Sequence, residues 1–249
     1  YLNPQIYLII DDMIDNDEKL KLKTFLQKWI NNKIELELKS LIDLKNIKEN
    51  NTELRALSYH LYENNGVVKR ENVSMYIDKL NQDERKKLRR IGVKFGRFHI
   101  FLFKLFKPSS VSLRIILWKI FNEKNLNLFP PKFGLNFLEE KESINKDFML
   151  LCGFEKFDKF FVRIDILERL FILILNSNKN NEIKLLPEML NLLGSNKENF
   201  LKLLQKMNYK IYNKDNDVYF KYISNKRNIR KKEKVINKND NPFKILGQL

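Results

Sequence analysis

The residue pattern nearest to a known chemical motif lies close to the start of the chain, where Asp11, Asp12 and Asp15 spell D-D-x-x-D. On a helix face such carboxylates can hold Mg²⁺ against a diphosphate, which is the chemistry of prenyl-transferring enzymes. That site needs a second acidic helix opposite, and the stretch FLEEKES is a poor substitute. Acidic residues ahead of a helix usually act as caps and dipole partners, so we expect Asp15 or a neighbour to cap a helix.

Few other side chains could do catalysis. Cys152 is the only cysteine, which excludes an internal disulfide and a cysteine-based zinc cluster, and its apolar neighbours predict a buried core residue. We expect His99 to be packed and hydrogen-bonded in the core and His60 to have a structural or surface role. Because no Gly is followed by Lys, the chain has no Walker-type phosphate loop. We predict no catalytic residue, metal site or cofactor in this chain.

Positive charge is the stronger signal. Lys and Arg total 47 against 31 Asp and Glu, a net charge of +16, which favours a polyanion such as nucleic acid. Residues 83–107 hold nine basic and two acidic residues, and residues 225–240 hold seven and two. A solvated surface helix, or a compositional bias toward Lys, Asn and Ile, would also explain part of this charge. The predicted nucleic-acid contacts are Arg85, Lys86, Lys87, Arg89, Arg90, Lys94, Arg97, Lys226, Arg227, Arg230, Lys231 and Lys232.

The elements that position these residues are predicted to be helices, because the chain contains only 7 Gly and 6 Pro. Apolar residues recur at helical spacing over 22–36, which predicts a first long helix. Asn81 followed by Glu84 has the form of a capping box, and Gly92 is a stop signal. The first basic cluster is therefore expected on a helix over 82–91 and in the apolar extended segment that follows it.

The order of the elements predicts the fold. From Pro187 the sequence reads helix, turn, helix, and then a hairpin whose strands alternate around NKDND. We predict a mainly α-helical fold, a helical bundle with one or two winged-helix-like units and a small β-hairpin. The expected domains are a helical subdomain over 1–125 with the first helix-turn-helix-like unit, a second helical, winged-helix-like subdomain over 145–224, and a flexible basic arm over 225–249 that ends in an apolar hook, NPFKILGQL.

The cellular location of the chain and its relation to a longer protein are predicted from simpler features of the sequence. Its apolar runs are too short to span a bilayer, and no amino-terminal signal pattern is visible, so we expect a cytoplasmic protein with no membrane partner. The chain begins with Tyr1 rather than Met, and we expect it to be a piece of a longer protein.

Several stretches in a fixed order resemble a known family. They are LRRIGVKFG at residues 88–96 with His99, the pair Lys107 and Pro108, Trp118, VRIDILERL at 162–170, LLGSNKENFLKLLQKMNYK at 192–210, and the closing NPFKIL. In type and order they resemble the C-terminal region of alphaproteobacterial superfamily-two (DExH-type) helicases related to the mitochondrial RNA-degradosome helicase. In that family a tandem RecA-like motor, which uses ATP and Mg²⁺, lies upstream.

The resemblance implies a non-catalytic accessory region of an ATP-dependent RNA helicase that grips and guides single-stranded RNA. The chain should be inactive alone, and the parent protein would be a hydrolase. An alternative function is a protein-docking module that links the motor to a ribonuclease or to a ribosome through apolar surfaces and the NPFKIL hook. An Mg²⁺-dependent enzyme built on the three aspartates ranks third, and the choice between RNA and DNA stays open.

Overall fold

The computed structural model describes residues 2–9, 15–47, 51–122, 128–140, 145–178, 182–214 and 217–223. Among these, residues up to 176 together with 186–197 form one compact unit. Residues from 177 to 185 together with those from 198 to 223 form a second unit.

The first unit begins with helices and continues with two small sheets. Its elements in chain order are α1 Asn16–Glu37, α2 Lys39–Lys45, α3 Thr52–Glu63, β1 Val67–Lys69, α4 Arg70–Ile77, α5 Gln82–Ile91, β2 Val93–Phe95, β3 His99–Leu102, a 3₁₀ turn Phe103–Phe106, α6 Pro108–Phe121, β4 Phe137–Glu139, α7 Lys146–Leu151, β5 Phe154–Phe157, β6 Phe160–Arg163 and α8 Ile164–Asn176. The remaining elements of the chain are β7 Ile183–Lys184, α9 Pro187–Leu193, α10 Lys197–Lys206, β8 Tyr209–Lys214 and β9 Asp217–Tyr222. Of these, α9 belongs to the first unit and the three strands to the second.

The nine strands among the described residues form three antiparallel sheets with one common arrangement. In each sheet the last strand in chain order lies at the centre, giving the orders β1-β3-β2, β4-β6-β5 and β7-β9-β8. In the first sheet the register pairs Lys69 with His99 and Lys94 with Phe101. This register fixes which residues of β1 and β2 lie beside His99, a residue that is important for the site below.

Two apolar cores support the first unit, and α6 contributes to both. Leu113 and Leu117 of α6 pack in a core with side chains of α2, α3, α5 and the first sheet. Val111 and Ile115, on another side of the same helix, pack with α7 and the second sheet. A small cluster of Val67, Phe101 and Ile164 joins β1, β3 and the start of α8. These clusters hold the two sheets in a fixed relation within this unit.

The prediction of a mainly α-helical bundle with one or two winged-helix-like units is wrong, although the predicted small hairpin is present as β8 and β9. Helices alternate with three three-stranded sheets, so the fold mixes α and β structure. Most of the strands have only two to four residues. Strands this short carry too few residues for a period-two pattern to stand out from neighbouring apolar helices, which explains the error.

None of the helices that the structure describes is both long enough and apolar enough to cross a bilayer.

Candidate functional site

Helix α5, which carries five of the twelve predicted contacts, is fixed at both ends by local hydrogen bonds. At the start of α5, the Asn81 side chain accepts the Glu84 N–H at 2.9 Å and the Glu84 carboxylate accepts the Asn81 N–H at 2.9 Å, which confirms the capping box. The Asn51 side chain, which also caps α3, donates to the second Glu84 oxygen at 2.6 Å. Gly92 ends the helix with φ 114°, a conformation that favours glycine. Leu88 is fully buried, so the opposite face of α5 points to solvent.

That solvent face is strongly basic. Six of the seven predicted residues in this region are exposed: Lys86, Lys87, Arg89, Arg90, Lys94 and Arg97. Of the two acidic residues on α5, Glu84 is used in the capping box, and Asp83 makes an exposed ion pair with Lys86 at 3.2 Å, a contact that adds little stability. The Arg89 guanidinium lies 5.6 Å from the ring centre of Phe95 in β2. The exposed charges therefore continue from α5 into the turn that follows β2.

Arg85 is the exception. Its side chain is half-buried, and its Nη2 donates to the carbonyl oxygen of Ile77 at 2.7 Å, at the C-terminal end of α4. This bond adds a second donor to a carbonyl that also accepts the Leu80 N–H at 3.2 Å, and it places a cation at the negative end of the helix dipole. The structure therefore gives Arg85 a role in the turn between α4 and α5, with its charge directed away from the exposed face.

The turn that carries Arg97 is held by one carboxylate from a distant part of the sequence. The Glu168 side chain, on α8, accepts the backbone N–H groups of Arg97, Phe98 and His99 at 2.5, 2.8 and 2.9 Å. A β-carbon on Gly96 would overlap this carboxyl group, so only glycine leaves room for it. The Arg97 guanidinium lies 5.8 Å from the ring centre of Phe171, one turn further along α8. Glu168 therefore sets the backbone from which Arg97 projects.

His99 lies buried beside the same carboxylate. Its Nε2 is 3.0 Å from Glu155, whose other oxygen is 3.0 Å from the Lys69 ammonium group, and its Nδ1 is 3.8 Å from Glu168. Burial by itself would lower the pKa of His99, but the two carboxylates outweigh it and raise the pKa. Burial would raise the pKa of Glu155 and Glu168, yet the hydrogen bonds to each lower it. The charges of Lys69 and protonated His99 thus balance those of Glu155 and Glu168. The prediction of a hydrogen-bonded core histidine is confirmed.

The other candidates for catalysis occupy structural positions. Cys152 is buried, as predicted, and burial raises the pKa of its thiol to about 12, which disfavours the reactive thiolate. Asp15 caps α1 by accepting the N–H of Asn16 at 2.8 Å, while Asp11 and Asp12 lie outside the described residues. The His60 ring is half-buried and lies 5.3 Å from the ring of Tyr76. Within the described ranges, no group of three His, Cys, Asp or Glu side chains could hold a metal ion.

The second predicted basic cluster cannot be compared with the first, because all of its residues lie outside the described part of the chain: Lys226, Arg227, Arg230, Lys231 and Lys232. The same is true of the NPFKIL hook. One residue of the site, Glu168, was not predicted from the sequence, because it reaches the turn only through the tertiary fold. Lys104, which belongs to the basic segment 83–107 but is not among the predicted contacts, is exposed, and its stem lies 3.8 Å from the position of a β-carbon on Gly92.

Comparisons of the chain with protein-family models, with curated proteins and with solved structures find no match.

Proposed function

We propose that this chain is the non-catalytic accessory region of an ATP-dependent RNA helicase and that it binds single-stranded RNA. In this proposal a RecA-like motor upstream binds ATP and Mg²⁺, this chain grips the unwound strand in the cytoplasm, and a ribonuclease is a further partner. The observation that carries the proposal is the exposed basic face of α5 and the β2–β3 turn. Six cations project there, and one of the two acids of α5 is occupied in its capping box.

The chemistry of this face suits a phosphate backbone more than a base sequence. Lys86 and Arg90 lie four residues apart on one side of α5, so they can contact successive phosphates. Phe95 and Phe171 already stack against Arg89 and Arg97, which leaves these guanidinium groups oriented for phosphate contacts. We therefore expect salt-dependent binding with little sequence preference.

The test is binding of a fluorescent single-stranded RNA across a range of salt concentrations, with a duplex and a DNA strand beside it. Replacing Lys86, Lys87 and Arg90 together with Ala should weaken binding at least tenfold. It should also flatten the log–log salt slope by about 2, since each phosphate contact on a single strand contributes about 0.7. Arg85→Ala is instead expected to lower stability, because the Ile77 carbonyl loses its charged donor and keeps only the Leu80 N–H.

A control with the same loss of charge replaces Lys146, Lys159 and Lys197, three exposed lysines away from α5. If both triple variants weaken binding equally, total charge rather than this face is responsible, and the proposal fails. It also fails if the chain does not bind RNA at low salt.

A further inference from the structure

The first long helix exposes an unusual amount of apolar surface. Within α1 only Ile34 is buried, whereas Leu22, Phe25, Trp29 and Leu36 are exposed by 41%, 65%, 57% and 77% of their surface. These four residues, called here the α1 stripe, have the spacing i, i+3, i+7 and i+14. At 100° per residue they fall on one narrow face, which is the heptad pattern of a helix that packs against another helix.

The chain already covers a different side of α1. Residues 2–9 run along the helix: the Ile6 N–H donates to the Gln27 side chain at 3.2 Å, and the Gln27 amide donates to the Pro4 carbonyl at 3.0 Å. Ile30 packs against the main core of the unit. Gln27 and Ile30 each lie 100° or more around the helix from Trp29. The α1 stripe is therefore separate from the contacts that hold α1 in place.

The charges beside the stripe indicate the chemistry of its partner. Residues 19–33 contain five lysines and no acidic residue, whereas Glu35 and Glu37 lie beside the Leu36 end, and Glu37 pairs with Lys33 at 3.2 Å. Lys21 and Lys28 lie on one side of the stripe and Lys33 on the other, and all three are exposed. In helix pairs, the residues that flank the apolar positions choose the partner by opposite charge. Asn32 falls at an apolar heptad position between Trp29 and Leu36, where a polar residue specifies one register.

We propose that the α1 stripe binds an amphipathic helix of a partner protein whose flanking residues are acidic. A parallel pair with a second copy of α1 would place Lys28 of one helix beside Lys33 of the other, so like charges disfavour that pairing. The chain's own residues 225–240, with seven basic and two acidic residues, are disfavoured for the same reason. Leu22 and Leu36 extend the line of Phe25 and Trp29 at heptad spacing, which fits a helix along the whole stripe, whereas bases could stack only on the two rings. This docking is independent of the basic face on α5.

The test uses a synthetic three-heptad peptide with Leu at positions a and d and Glu at positions e and g. Binding to the full chain is followed by fluorescence anisotropy of the labelled peptide and by tryptophan emission, which should shift to shorter wavelength as the Trp29 ring is buried. The chain also contains Trp118, so the shift is assigned to Trp29 by its loss in Trp29→Ala. A peptide with Lys in place of Glu is the charge control. We expect a Kd on the order of tens of micromolar for the Glu peptide, since only two heptads are engaged, and no binding of the Lys peptide.

Single substitutions test whether the Glu peptide binds the α1 stripe. Phe25→Ala and Trp29→Ala should each weaken binding of the Glu peptide at least tenfold without changing the circular dichroism spectrum, because both side chains are exposed. Met75→Ala, which removes a side chain that is 61% exposed on α4, should bind as the unchanged chain does. The Lys86, Lys87 and Arg90 triple variant should also bind the peptide normally, which separates this proposal from RNA binding.

Four results would overturn the proposal. The first is no binding of the Glu peptide up to about 1 mM, or equal binding of the Lys peptide. The second is a concentration-dependent dimer that Trp29→Ala abolishes, which would make a second copy the partner. The third is single-stranded RNA that shifts Trp29 emission and competes with the peptide. The fourth is a Trp29 shift with anionic phosphatidylglycerol vesicles but not with the peptide, which would indicate a membrane surface.

Discussion

Glu168→Gln tests whether one carboxylate holds the turn from which Arg97 projects. In the native chain Glu168 accepts three backbone N–H groups, those of Arg97, Phe98 and His99. Glutamine keeps a single oxygen, so one N–H loses its acceptor and the other two bonds change from charged to neutral. A hydrogen bond to a charged group contributes about 1.5–3 kcal/mol and a neutral one about 0.5–1.5 kcal/mol.

The expected loss follows from these values. One lost bond contributes about 2 kcal/mol and two weakened bonds about 1 kcal/mol each, while a neutral amide is easier to bury than a carboxylate by roughly 1 kcal/mol. The free energy of unfolding of the first unit should therefore fall by about 3 kcal/mol, which leaves it folded if its stability lies in the usual range of about 5–15 kcal/mol. The amides of Phe98 and His99 should exchange with solvent about 100-fold faster, since about 1.4 kcal/mol corresponds to a factor of ten.

Urea unfolding followed by circular dichroism, together with amide hydrogen exchange, measures both effects. Glu35→Gln, at an exposed position of α1, is the control and should change the unfolding free energy by less than about 0.5 kcal/mol. Gly96→Ala should displace the same carboxylate, so its effect and that of Glu168→Gln should be less than additive in the double variant. A change below about 0.5 kcal/mol for Glu168→Gln, or strictly additive effects, would refute this account of the turn.

Two further predictions concern buried titratable groups. The raised pKa of His99 means that the folded state binds its proton more tightly than the unfolded chain, so this contribution to stability is present below about pH 6.5 and is lost as pH rises through the raised value. Urea midpoints measured between pH 6 and pH 9 should fall with pH in the native chain and stay nearly level in His99→Gln; equal slopes would exclude His99 as the source. Burial raises the pKa of Cys152 to about 12, so a thiol reagent at pH 8 should label this residue only after urea is added. Full labelling of the folded chain within minutes would contradict its buried position.

Local chemistry made parts of α5 predictable. Asn81, Glu84 and Gly92 act through neighbouring backbone groups, so the sequence was enough to predict where the helix begins and ends. The burial of the Arg85 side chain could not be predicted from the sequence, because a half-buried arginine and an exposed arginine look alike within a basic segment. Only the position of the Ile77 carbonyl decides between them.

The spacing of apolar residues predicted which segments are helical better than it predicted which apolar side chains are buried. The residues over 22–36 were correctly predicted to be helical, but the same spacing describes a stripe that packs inside the chain and one that is exposed. The hairpin of β8 and β9 was predicted, but the first two sheets were missed for a related reason. Strands β1, β2 and β4 have three residues each, and what makes them strands is pairing with a central strand elsewhere in the sequence.

The long sequence separation between Glu168 and the turn that it holds also affects the order in which parts of the chain fold during synthesis. Its bonds to the turn before β3 close loops of 69 to 71 residues, and contacts at such separation form late because the loop-closure entropy must be overcome first. At about 5–20 residues per second, α8 leaves the ribosome roughly 4 to 14 s after the turn does. During that interval the nascent chain carries its basic helix without the anchored turn, so a polyanion that binds early would meet α5 before Arg97 is held in place.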